Sequence, residues 1–135
     1  MSQEDGKSWL LTGSHAYGCP TRDSDVDVVL YCEDREIVKI LCLAADAVLT
    51  SPKVEDDQRY VTAKTDTALR FGRLNVLIVT NADAFDRWSL GTSQLKAFRP
   101  VQRETAVAVF DAIFDASCDA SAESLAAIIR EREGR

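Results

Sequence analysis

The chain has one histidine, His15, and four cysteines, Cys19, Cys32, Cys42 and Cys118, none of them spaced as a Cys-x-x-Cys pair. A structural zinc centre draws its ligands from short paired spacings of those residue types, so no zinc site is expected. Cys32 and Cys42 lie in apolar surroundings and read as small core residues; reduced thiols suit the cytosol. Also absent is any run of 18 or more apolar residues, and the opening Met1-Ser2-Gln3-Glu4-Asp5 is polar and acidic. Neither a membrane span nor a signal peptide is expected, which makes a cytoplasmic location the default. Clustered positive charge is missing too. Lys and Arg number 16 against 22 Asp and Glu, a formal net charge of −6, and the nearest approaches to a basic pair are Arg70 with Arg73 and Arg99 with Arg103. Proteins that grip nucleic acid along its length neutralise several phosphates at once, so extended nucleic-acid binding is not expected. A single nucleotide needs only a few local positive groups and metal ions, and NTP binding stays open.

What is present fits one domain over 1–135. Apolar residues make up 46% and charged residues 28%, the balance of an ordinary soluble protein whose length supports a single core. The order of elements predicts an α/β (α+β) fold, with a sheet core over about 8–80 and C-terminal helices over about 82–133. Trp9–Thr12 reads as a first strand, His15–Gly18 as a short helical turn, and Cys19–Asp23, with Pro20, as the connection. Val26–Tyr31 reads as a second strand, with Val26, Val28 and Leu30 toward the core, opposite the acids beside them. Asp34 caps a helix through Leu49, and its stripe of Ile37, Ile40, Leu41, Ala44 and Val48 predicts that it is largely buried.

The acidic stretch Glu55-Asp56-Asp57 falls in a predicted loop, 51–58, and Tyr60–Ala63 reads as a short strand. Thr67–Phe71 and Leu74–Thr80, joined by Gly72-Arg73, read as a β-hairpin. Asn81 suits the N-cap of a helix to about Phe98, with Phe85 and Trp88 inward and Gly91 a weak point in its middle. Pro100 suits the first turn of the next helix, which carries Val107, Phe110, Ile113 and Phe114. A final helix starts at Asp119 or Ser121 and ends near Arg132. Trp9 and Trp88 both read as core.

Chemistry concentrates in one segment. Gly13-Ser14 ends the first predicted strand, and ten residues later come Asp25-Val26-Asp27. Two acids one residue apart on a strand point to one face, about 7 Å apart along the backbone. Such a pair can converge on two Mg²⁺ ions held roughly 3.5–4 Å apart, an arrangement used for in-line phosphoryl transfer. The glycine lets backbone approach a phosphate closely, and the Ser14 hydroxyl and neighbouring amides can bind its oxygens. Arg22, between turn and acids, is a candidate triphosphate contact or a solvated turn residue. Arg70 and Arg73 face either a nucleotide or the exposed edge of the hairpin. His15 and Tyr17 read as packing or polar surface residues that stand beside the turn.

The string Gly13-Ser14-His15-Ala16-Tyr17-Gly18 … Asp23-Ser24-Asp25-Val26-Asp27 resembles the hallmark of the minimal nucleotidyltransferases, within the superfamily that includes DNA polymerase β. The resemblance is specific over 8–31 and looser to 80. It implies a small mixed sheet packed with helices and a helical C-terminal tail. It also implies Mg²⁺ or Mn²⁺ as cofactor, Gly13 and Ser14 toward the NTP, and Asp25 and Asp27 as catalytic metal ligands. A third carboxylate usually comes from a later strand, and the matching position here is Asn75, an amide that can ligate a metal but is a poor base.

Two function classes follow. One is a metal-dependent nucleotidyltransferase moving a nucleoside monophosphate from an NTP to a hydroxyl, including one on a protein partner. The other is a catalytically degenerate relative that binds nucleotide or a protein partner as a regulator or inhibitor.

Overall fold

The structure is a computed structural model that describes residues 9–49, 59–60, 64–65, 67–115 and 121–135, with only the backbone at 42, 45–49 and 59–60. The predicted loop 51–58, the stretch 61–63, Asp66, Asp119 and Cys118 lie outside the described residues, as do the side chains of Cys42 and Val48.

Among the described residues, five strands and five helices make a mixed α+β fold. The strands are β1 (Trp9–Thr12), β2 (Val26–Tyr31), β3 (Arg59–Tyr60), β4 (Thr67–Phe71) and β5 (Leu74–Val79), in one sheet ordered β1-β2-β5-β4-β3. β2 and β5 run parallel and every other neighbouring pair is antiparallel. The helices are α1 (Ser14–Tyr17), α2 (Arg35–Leu49), α3 (Ala82–Ala97), α4 (Arg103–Phe114) and α5 (Ala122–Glu133). No helix among the described residues is long and apolar enough to cross a membrane.

Local signals explain most of these elements. Phe71 pairs with Leu74 across the two-residue turn Gly72-Arg73, and Gly72 takes the positive φ of 61° that such a turn asks for. Asn81 caps α3 by accepting from the Ala84 amide at 2.8 Å, Asp34 caps α2 by accepting from Glu36 at 2.9 Å, and Ser121 caps α5 by accepting from Ser124 at 3.2 Å.

Strand register then assigns the two faces. Thr12 pairs with Asp27, Asp27 with Asn75 and Asn75 with Arg70, so these four residues form a row across four strands on one face. That face also carries Val29 and Val79, which are buried under α3, α4 and α5 with Phe85, Leu95, Val109, Ile113, Leu125 and Ile129. The expectation that Val26, Val28 and Leu30 face the core, opposite the acids, is therefore corrected: the larger core shares the acids' face. Leu30 belongs to a smaller cluster on the other face, with Leu69, Ile78, Val76, Val38 and Leu41.

Several further expectations need correction. Ile37, Ile40 and Leu43 of α2 are exposed, because Val38 and Leu41 are the side chains that meet the sheet. A helix apolar on several sides leaves its buried face ambiguous to periodicity. Trp9 is exposed rather than core, on the outer face of an edge strand, whereas Trp88 is buried. Cys32 is half-buried and Cys19 exposed, both as free thiols. Gly91 marks a close approach rather than a weak point: a Cβ there would lie 2.4 Å from the Phe110 ring. Pro100 precedes α4, which starts behind Gln102, while the adjacent Val101 amide bonds to the Tyr17 carbonyl at 2.8 Å and ties this segment to α1.

Candidate functional site

Where β1 ends, beside the start of β2, the chain turns at Gly13. This residue takes φ +73°, and a Cβ there would stand 2.2 Å from Asp27 Oδ2. Only glycine lets the carboxylate lie this close to the turn. The turn is folded by Ala16 and Tyr17 amides donating to the Gly13 carbonyl at 2.9 and 3.1 Å, and by Gly18 donating to Ser14 at 2.9 Å. Thr12, just before it, is buried and shares a 2.8 Å hydroxyl hydrogen bond with Thr92 of α3, which fixes the sheet end to the helical layer.

Asp27 accepts a 2.8 Å hydrogen bond from Asn75 Nδ2 through Oδ1. Burial raises its pKa above the ordinary carboxylate value, and the charge of Asp25 adds to that; the Asn75 hydrogen bond and the positive charges of Arg70 and His15 work against it. Asp25 is held from the other side. Arg70 Nη1 and Nη2 donate to its two oxygens at 3.3 Å each, a forked pair with both side chains about one-third exposed. Among the described residues, two buried side-chain polar atoms have no hydrogen-bond partner, Asn75 Oδ1 and Arg70 Nε. Burial also pushes the Tyr17 hydroxyl up, and Thr12, Asp27 and Gly13 all act on it.

These residues open onto one cleft of about 1080 Å³. Gly13, Ser14, Asp25, Asp27, Asn75, Arg70 and Tyr17 line one side of it, and Val101, Arg103, Ala106 and Val107 another. The structure thus brings five of the six sequence-derived site residues together. Arg22 is the exception: it sits exposed in the turn before β2 and does not line the cleft. Asn75 lies on the same face as the acids. Arg73 is exposed and does not line the cleft, whereas Arg70 is in direct contact with Asp25. The signal for Arg70 was present in the hairpin: a two-residue turn after Phe71 sets position 70 opposite position 75 and on its face. Thr12 and Thr92 carry no such signal, since a threonine pair 80 positions apart is a tertiary contact.

Among the described residues, no group of three or more His, Cys, Asp or Glu side chains could hold a metal ion. The oxygen donors that do converge are two carboxylates and one orphaned amide oxygen. No protein-family model, curated protein or solved structure matches the chain.

Proposed function

We propose that the chain is a metal-dependent nucleotidyltransferase that binds an NTP in this cleft and moves its nucleoside monophosphate to a hydroxyl acceptor, a class that includes protein hydroxyls. The observation that carries the reading is the convergence of the Gly13-Ser14 turn, Asp25 and Asp27 at one cleft, with the Asn75 amide oxygen buried and unpaired beside them. The donors fit a divalent cation such as Mg²⁺ or Mn²⁺: two carboxylates from β2 and its approach, and one neutral oxygen from β5. When bound, the cation offsets the charge that develops on the α-phosphate and the leaving pyrophosphate.

The chain's own residues do the rest. Gly13 leaves the turn open to a phosphate, and the Ser14 hydroxyl holds a terminal phosphate oxygen. Asp27, beside the Asn75 oxygen, would hold the cation, and Asp25 adds negative charge at the same end of the sheet. In the transfer, the acceptor hydroxyl gives up its proton to solvent, its oxygen bonds to the α-phosphorus, the bond from that phosphorus to the bridging oxygen breaks, and pyrophosphate leaves with that bond's electron pair. The net charge of −6 favours a single nucleotide over a polynucleotide as the phosphate ligand.

A second reading is favoured by a different observation. Asn75 supplies no charge and is a poor base, and Arg70 already neutralises Asp25. A regulator or inhibitor that binds nucleotide, or a protein partner, without turnover suits those two contacts. Incubation with each of four radiolabelled NTPs and Mn²⁺, scored for labelled protein and released pyrophosphate, separates the two. Label with pyrophosphate release supports the transferase; binding without either supports the regulator; no binding of any NTP overturns the nucleotide site.

A further inference from the structure

The polar row of the sheet departs from a simple two-metal clamp at both ends. Position 75 carries an amide, not a carboxylate. Two residues before the hairpin turn, a guanidinium reaches back over the sheet to the outermost acid. In strand order the row reads Thr12, Asp27, Asn75, Arg70, so Arg70 stands beside Asn75 on the same face. From there its fork closes on both oxygens of Asp25, at 3.3 Å each. The pair is about two-thirds withdrawn from solvent, where salt screens it less than a surface pair.

Paired divalent ions roughly 3.5–4 Å apart need carboxylate oxygens on both sides. Here both oxygens of Asp25 are taken by Arg70. Freeing them would leave a partly buried guanidinium without its partner, in a residue whose Nε already lacks one. Asp27 gives Oδ1 to Asn75 and turns Oδ2 toward Gly13. The remaining acceptor is Asn75 Oδ1, on a side chain only 7% exposed and without a hydrogen-bond partner. An unpaired buried acceptor at the wall of a cleft asks for a ligand with positive charge or a proton to donate. Asp27 and Asn75 together offer oxygen ligands for one cation.

Charge balance agrees with the geometry. Three carboxylates around two divalent ions carry a net charge of plus one before the nucleotide arrives. Two carboxylates, one guanidinium and one divalent ion carry the same. A triphosphate would meet the same local field in either site.

We infer that Arg70 stands in for one of the two cations, so that this cleft takes a single divalent ion with its nucleotide, held by Asp27 and Asn75 while Arg70 neutralises Asp25. The inference rests on the reading of the cleft as a cation–nucleotide site, and makes Arg70 a positioning residue for it.

The test counts metal ions. Mn²⁺ bound per chain is measured by electron paramagnetic resonance, alone and with a non-hydrolysable analogue of each NTP in turn, for wild type, Arg70→Gln and Arg70→Lys. One Mn²⁺ per nucleotide complex in wild type and Arg70→Lys, rising to two in Arg70→Gln, is the expected result. Two ions in wild type overturn the inference and leave the nucleotide site standing. One ion in a folded Arg70→Gln also overturns it. No Mn²⁺ and no nucleotide on wild type removes both the inference and the reading beneath it. Should Arg70→Gln fail to fold, the wild-type and Arg70→Lys counts decide alone: one ion in each supports the inference, and two in either overturn it.

Discussion

Under α3, α4 and α5 the sheet is closed: Val29, Val79, Leu95, Val109, Leu125 and Ile129 have no accessible surface, and Phe85 stacks on Tyr31 with ring centres 5.7 Å apart. Under α2 it is not. There Val38 and Leu41 meet a small cluster, while Ile37, Ile40 and Leu43 on the same helix and Trp9 and Leu11 on β1 remain exposed. The candidate site lies on the closed face, at its polar end. Its acids therefore sit on a rigid support, with Thr12 tied to α3 and the Val101 segment tied to α1. Desolvation from that support is what lifts Asp27, and the Asn75 amide and the Arg70 guanidinium are what offset it.

That contrast predicts where substitutions hurt. Phe85→Ala on the closed face should cost about 3–5 kcal/mol, against less than about 0.5 kcal/mol for Ile40→Ala, which is 61% exposed. Chemical denaturation of the two variants measures both, and equal losses would break the comparison.

Gly91→Ala sharpens it. Helix propensity alone favours alanine by about 1 kcal/mol. The Phe110 ring 2.4 Å from the new Cβ reverses the sign, for an expected net loss of about 1–3 kcal/mol by the same assay.

The smallest effect belongs to the edge of the closed face. Glu133 of α5 accepts from the Thr105 hydroxyl and from the Gln102 amide at 3.2 Å, joining α5 to the start of α4. The Thr105 hydrogen bond is the main reason its pKa is lowered. A depressed acid contributes stability above its unfolded pKa, near about 4.3, and loses it as pH falls through the lower folded value. The midpoint difference between wild type and Glu133→Gln should therefore be largest at neutral pH and shrink on acidification. A difference that grows below pH 4 would contradict the assignment.

The sequence was most legible where signals are local. The apolar residues Val26, Val28 and Leu30 marked the bounds of β2, Gly72 marked the hairpin and Asn81 marked the start of α3. The Gly13-Ser14 turn and the acid pair were legible for the same reason, whereas Asn75 was reached only through the resemblance, and the strand register sets it beside Asp27. What failed was tertiary. Periodicity offered α2 the stripe of Ile37, Ile40 and Leu41, of which only Leu41 meets the sheet, together with Val38 outside that stripe. Pro100 looked like a helix start because its fixed φ suits one, yet the Val101 amide bonds to α1 and α4 begins three residues beyond Pro100. Arg22 was chosen by nearness in the chain, whereas Arg70, 45 positions from Asp25, is near in space.

The central claim is that Asp25 and Asp27 form a cation-dependent nucleotide site on that closed face. Titration calorimetry of each Mg²⁺–NTP into wild type and Asp25→Asn/Asp27→Asn, with circular dichroism to confirm the fold of both, tests it most directly. The account predicts binding of at least one NTP by wild type that requires Mg²⁺ and weakens at least about tenfold in the double variant, equivalent to about 1.4 kcal/mol. Equal affinity in the two folded proteins, or no NTP bound by wild type, would contradict it.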